Sequence, residues 1–214
     1  MIDCAGQTLL TFSAHATDFI SKCAGTVARY TRGGGQVRVV DLTFGERGEC
    51  AELWNKNPGI TVEKTKEIRK AEAARAAGIL GAAIRFLDFD DTPLIMDRER
   101  FLRIVDELHD FRPGIVVTHH LEGRLNHDHA ATTVTCIRAL KAAQQRGVRP
   151  GVKVLRAANS GTRASCKRSR KWLAAARQAA ACSRRVALSR PVPRRHCRRR
   201  RHGSTPPPAA PCGR

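Results

Sequence analysis

Residues 8–13, Thr-Leu-Leu-Thr-Phe-Ser, form a short apolar run that predicts a strand ending just before His15. Residues 18–31 follow a helical period and stop at Gly33-Gly34-Gly35. Residues 36–43 (QVRVVDLT) are Val-rich, the pattern of a strand covered on both faces. A charged, Ala-rich helix over 62–80 closes at Gly81, and a third strand spans 83–89. Residues 97–111 put Phe101, Ile104, Val105 and Leu108 on one helical face before Pro113-Gly114 breaks the run. A fourth strand over 115–118 leads into His119-His120, and a last helix covers 130–145.

Strand and helix alternate four times without an internal repeat. That order implies parallel strands joined by right-handed helical crossovers. The predicted fold class is α/β, an open Rossmann-like three-layer α/β/α domain with a mostly parallel sheet. In such sheets ligands bind beyond the carboxyl ends of the strands. Polar residues collect there: His15 and Asp18, then Glu46 and Glu49, then Asp90 and Asp91, then His119, His120 and the 127–129 segment, expected as a loop. Neither G-x-G-x-x-G after the first strand nor G-x-x-x-x-G-K-[ST] occurs, so no nucleotide fingerprint is present.

Charge divides the 214-residue chain in two. The formal net charge is +20, with 39 Lys+Arg against 19 Asp+Glu. Residues 1–150 hold all 19 acids and 21 of the basic residues, while residues 151–214 hold 18 basic residues and no acid. We therefore expect a catalytic domain over 1–150 and a basic, low-complexity, disordered tail over 151–214. No apolar run approaches a membrane span, and the N-terminus lacks a basic leader, so a cytoplasmic protein without membrane contact is expected. The eight cysteines form no C-x-x-C pair, which speaks for reduced thiols rather than a zinc finger.

His15 and Asp18 stand three residues apart where a strand turns into a helix. Asn126-His127-Asp128-His129 forms a second cluster on the same sheet edge. Two His and one Asp, with a position left for water, suit a catalytic zinc site. Thr17 or Asp18 would alternatively serve as the helix N-cap.

Ala14-His15-Ala16-Thr17-Asp18-Phe19 and Asn126-His127-Asp128-His129 resemble the two motifs of the LmbE/PIG-L superfamily of zinc-dependent de-N-acetylases. With Leu42-Thr43-Phe44-Gly45-Glu46-Arg47-Gly48-Glu49, Arg69-Lys70-Ala71-Glu72 and Asp91-Thr92-Pro93, the chain is more narrowly similar to the GalB-type 4-oxalomesaconate hydratases. The resemblance implies His15, Asp18 and His129 as ligands of Zn2+ or another divalent metal. Deacetylases carry a carboxylate at the place of Thr17 and a His at that of Asn126, so amide hydrolysis loses its base. The expected activity is a hydro-lyase adding water to the C=C of 4-oxalomesaconate in aromatic breakdown, with a de-N-acetylase as the alternative. Glu49, then Glu46, is the expected base. Asp128 is expected to assist as a catalytic residue by orienting His129. Arg47, Arg69, Arg124 and His119 are expected to bind the oxo-tricarboxylate substrate. Phe19, Phe44 and Trp54 are expected in the core or pocket wall. A homo-oligomer is compatible with this reading.

Family members continue with further strands past the fourth helix. Here Arg, Ala, Ser, Pro and Cys without acids follow, the composition of a GC-rich gene read out of frame. A frameshifted C-terminal part is expected, leaving a sheet edge uncovered. The competing reading is a basic arm that binds nucleic acid non-specifically, without the aromatics that stacking on single strands requires. Which glutamate is the base, which metal is bound and whether the encoded product is active stay open at this level.

Overall fold

The computed structural model describes residues 3–120, 126–148 and 153–157. Among these residues five strands and five helices follow one another: β1 (Thr8–Ser13), α1 (Asp18–Arg32), β2 (Gln36–Asp41), α2 (Ala51–Lys56), α3 (Val62–Leu80), β3 (Ala83–Phe86), α4 (Arg98–Phe111), β4 (Ile115–His119), α5 (His127–Gln145) and β5 (Lys153–Ala157). The strands pair in the order β3-β2-β1-β4-β5, all parallel. This is the expected open α/β sheet.

Alternation along the strands assigns the two faces. Leu9, Val37, Val39 and Val117 pack under α1 and α3, where Phe19, Cys23 and Val27 recur at four-residue spacing. Leu10, Phe12, Val40 and Val116 pack under α4 and α5 with Ile104, Leu108, Ala139 and Ala143. Each fully buried Leu or Phe contributes about 1.5–3 kcal/mol of transfer free energy. The only apolar side chains that α3 buries are Ala73 and Ala77, small enough to let its backbone approach the sheet. Thr61 caps its start by accepting from the Lys64 N–H, and Gly81, at φ 72°, ends it in the left-handed conformation.

Several expected boundaries move. The third strand ends at Phe86, because Asp88 takes a φ of 52° that no regular strand tolerates. The ladder of β2 stops at Asp41, although Leu42 and Thr43 still donate to Ser13 O and Ala14 O. The last helix begins at His127, so the 127–129 segment is its first turn and not a loop. The short helix α2 was not expected; it buries no residue and has no apolar period to reveal it.

The strand β5 lies beyond the boundary expected at 150. Lys153–Ala157 pairs with β4 along its whole length and covers the edge that the expected break would have left open. The backbone pairing, which charge composition does not report, carries the domain past Gly151. Residues 158–214, with the rest of the expected tail, lie outside the described residues. Among the described residues no helix is long and apolar enough to cross a membrane.

Candidate metal centre and cleft

The chain leaves β1 toward β2 on one side, while β4 lies on the other. The carboxyl ends of β1 and β4 therefore open a crevice at the point where strand order reverses. His15 lies just past β1, His119 ends β4, and the first turn of α5 carries Asp128 and His129.

His15 is the hub. It is 1% exposed, and its ring nitrogens each face a carboxylate: Nδ1 lies 3.2 Å from Asp18 Oδ2 and Nε2 lies 3.3 Å from Asp128 Oδ2. Asp18 does not cap α1 with its side chain. Its Oδ2 turns back to accept the His15 N–H at 3.0 Å. His129 Nε2 lies 3.2 Å from the same oxygen, and Lys22 Nζ lies 3.4 Å from Oδ1. Glu49 Oε1 approaches His15 Nδ1 at 3.6 Å from the loop after β2.

These contacts set the charges. Burial alone would strip the proton from His15, but Asp128, Asp18 and Glu49 overturn it and push its pKa up to about 10. Burial likewise opposes the Asp18 anion, yet His129 and His15 hold its carboxyl well below 3.8. Asp128 is held at about 2, against burial, by His15 and by the Leu94 and Thr92 N–H groups. The centre is a nest of carboxylates that demands a cation.

Two overlapping donor sets, His15/Glu49/His129 and Asp18/His119/His129, each gather within 4.8 Å. The buried His129 Nε2 faces Asp18 Oδ2 at 3.2 Å and makes no well-formed hydrogen bond among the described residues. A buried imidazole nitrogen left unpaired beside carboxylates fits a divalent metal. His119 is less available, because its Nε2 accepts the Ala14 N–H at 2.9 Å.

The expected site residues separate into groups. His15, Asp18 and His129 converge, and Glu49 joins them, 37% exposed on the cleft wall. Glu46 does not. It is fully buried and turned toward Lys66 and Arg47, and burial raises its pKa. Asp128 orients His15, not His129 as expected, because neighbours on a helix turn point about 100° apart. His119 does not line the cleft. It is buried, stacked on the His129 ring at 4.0 Å and 4°. Arg69 is engaged elsewhere: Nη2 donates to Thr17 Oγ1 at 2.8 Å, Nε to Phe44 O and Nη1 to Glu72. Thr17 accordingly makes no side-chain cap. Arg47 is half-exposed and faces Glu46 and Asp90. Arg124 lies outside the described residues. Phe19 and Phe44 are core, and Trp54 donates its indole N–H to Glu46 O.

A cleft of about 380 Å³ opens over the centre, lined by His15, Glu49, Thr92, Pro93, Asn126 and His127 among others. Three of its supports had no contact assigned from the sequence. Asp91 accepts the Arg47 and Gly48 N–H groups and pins the loop after β2 to the loop after β3. Lys22 faces the second oxygen of Asp18. Asn126 caps α5 and reaches Glu49. Asp91 and Asn126 each stood in a motif read from the sequence, Asp91-Thr92-Pro93 and Asn126-His127-Asp128-His129, whereas Lys22 carried no signal.

The family model described as PIG-L, GlcNAc-PI de-N-acetylase, matches residues 10–140. The chain is 37% identical over 149 residues to a 4-oxalmesaconate hydratase of Pseudomonas putida, covering 70% of this chain and 57% of that protein. It is 32% identical over 159 residues to a 1D-myo-inositol 2-acetamido-2-deoxy-alpha-D-glucopyranoside deacetylase of a Mycobacterium species, covering 64% and 51%. Among solved structures it resembles GalB, the 4-carboxy-2-hydroxymuconate hydratase of P. putida KT2440, with TM-score 0.64 and 36% identity over 71% of this chain and 62% of that one. The chain thus spans little more than half the length of these curated relatives. By its motifs, its sheet and the match over residues 10–140, the chain belongs to the PIG-L family.

Proposed function

We propose that the protein is a metal-dependent hydratase that adds water to the conjugated C=C of an oxo-tricarboxylic acid, 4-oxalomesaconate. The observation that carries this reading is the placing of carboxylates around the cleft. The Thr17 hydroxyl, where deacetylases of the family carry a base, is turned to Arg69. Glu49 instead supplies the carboxylate on the cleft wall, 3.6 Å from His15. The identity to the hydratase of P. putida supports the same choice.

His15, Asp18 and His129 would hold the ion, zinc in our reading. When bound, such an ion acidifies water and draws electron density from a substrate carbonyl. Glu49 takes a proton from the attacking water as its oxygen bonds to one alkene carbon. The same carboxyl returns a proton to the neighbouring carbon, so that one water is added in all. Asp128 keeps the His15 ring in one orientation through the cycle. Arg47, next to Gly48 of the cleft lining, offers a cation to a substrate carboxylate.

The test incubates the full chain with Zn2+ and 4-oxalomesaconate and follows the absorbance of the conjugated carbonyl. Loss of absorbance that stops on chelation is expected. A second reading, a de-N-acetylase, is favoured by the 32% identity to the mycobacterial deacetylase. Release of acetate from an N-acetyl sugar, with 4-oxalomesaconate untouched, would establish it in place of the first.

A further inference from the structure

We propose that Asn126 is a positioning residue for Glu49, joining the start of α5 to the base through a single amide. This rests on the reading of Glu49 as the base. Asn126 Oδ1 accepts the backbone N–H groups of Asp128 at 3.0 Å and His129 at 3.4 Å. Those two donors settle which end of the amide is which, because an NH2 group cannot accept them. Nδ2 is then the end that faces Glu49, and it donates to Oε1 at 3.2 Å. The same Oε1 lies 3.6 Å from His15 Nδ1. Both contacts use one carboxylate oxygen, Oε1.

Capping alone does not call for this residue. Asp, Ser and Thr cap a helix about as well as Asn. Ionised Asp has no donor for a carboxylate, and Ser or Thr has only its single hydroxyl proton, held one bond nearer the backbone than the Asn NH2. Asp would set a second carboxylate against Glu49, and Ser is too short to reach it. The donor half of Asn126 is therefore explained by Glu49 and not by α5. The link joins two residues that both line the cleft and stand 77 positions apart in the chain.

The experiment uses the full chain with Asn126→Ser and Asn126→Asp, which keep the cap, alone and combined with Glu49→Ala. Thermal melting first establishes that the fold survives. In protein labelled with 15N-Asn, the Asn126 side-chain NH2 resonances are identified by their loss in Asn126→Ser. Their downfield proton is expected to move upfield in Glu49→Ala, as a charge-assisted bond is lost. In turnover of 4-oxalomesaconate, Asn126→Ser is expected to lower kcat about 10–100-fold when Glu49 is present, from misplacement of the base. In the Glu49→Ala background the same change should be within about twofold, the range of independent sites. Equal losses in both backgrounds, or an amide resonance indifferent to Glu49→Ala, would overturn the proposal. Should the unmodified chain fail to turn over 4-oxalomesaconate, the hydratase reading falls, and the resonance still decides the Asn126–Glu49 bond.

Discussion

Asp128 Oδ2 lies 3.3 Å from His15 Nε2, across 113 positions of sequence. The same carboxylate accepts the backbone N–H groups of Thr92 at 2.9 Å and Leu94 at 2.8 Å. One side chain thereby ties the first turn of α5 to the turn after β1 and to the loop after β3. It fixes the His15 ring and adds to the negative field that the centre directs at a cation.

Asp128→Asn keeps the size and removes the charge. The His15 pKa, about 10 in the metal-free protein, is expected to fall toward its ordinary value. Zinc affinity should drop about 10–100-fold, the usual cost of losing the partner of a ligating His. A histidine-resolved NMR titration and competition with a chromophoric chelator measure the two effects. Unchanged affinity would remove Asp128 from the centre.

Gly45 sits at φ 68°, and a Cβ there would lie 3.0 Å from Glu49 Cβ and 3.1 Å from His15 Cβ. Gly48→Ala would drive a Cβ into Thr92 Oγ1. Gly45→Ala is expected to cost about 1–2 kcal/mol from the left-handed backbone alone and to displace both functional side chains. Urea unfolding reads the first effect, and zinc affinity reads the second. Wild-type values in both would show that the loop is looser than described.

Asp41, at the end of β2, is fully buried, and its carboxylate oxygens have no hydrogen-bond partner. Burial raises its pKa well above 3.8. A raised acid favours the folded state at low pH. That advantage is lost as pH climbs from about 4, where the unfolded chain ionises, through the folded pKa. Asp41→Asn cannot ionise, so it should be the more stable protein at pH 8 and show a flatter rise from pH 8 to pH 4. Urea unfolding at the two pH values decides; a steeper dependence in Asp41→Asn would refute the assignment.

Arg69 braces the loops after β1 and β2 through Thr17 and Phe44. Arg69→Met should destabilise by about 1 kcal/mol through the lost hydrogen bonds. It should leave KM for a carboxylate substrate within about twofold, because the side chain does not reach the cleft. A KM raised by about tenfold or more, with stability intact, would return Arg69 to substrate binding.

Much of this architecture was legible along the chain. Apolar periods placed β1, α1, α4 and β4 within a few residues, because each must bury one face whatever its partners, while Ala-rich composition and Gly81 placed α3. Alternation then implied parallel strands, and parallel strands brought His15, Asp18, Glu49 and His129 to one edge. Local signals failed where the pattern was weak or short. The helix α2 has no buried face, and Asn126 moved the start of α5 forward by a cap that only the folded chain reveals. Net charge misplaced the end of the sheet, because β5 belongs to it through backbone pairing with β4.

By itself, the sequence determined the class of fold and the residue types that meet at the strand ends, since periodicity and strand direction are local properties. Only the tertiary structure decided which partner each side chain takes. Glu46 and Glu49 are three residues apart in one loop, yet one turns to Lys66 in the interior and the other to His15 in the cleft. Arg69 belongs to Thr17 and Asp128 to His15, pairings over 52 and 113 positions. Direction and distance between segments so far apart arise from the packing of helices on the sheet, and no spacing along the chain encodes them.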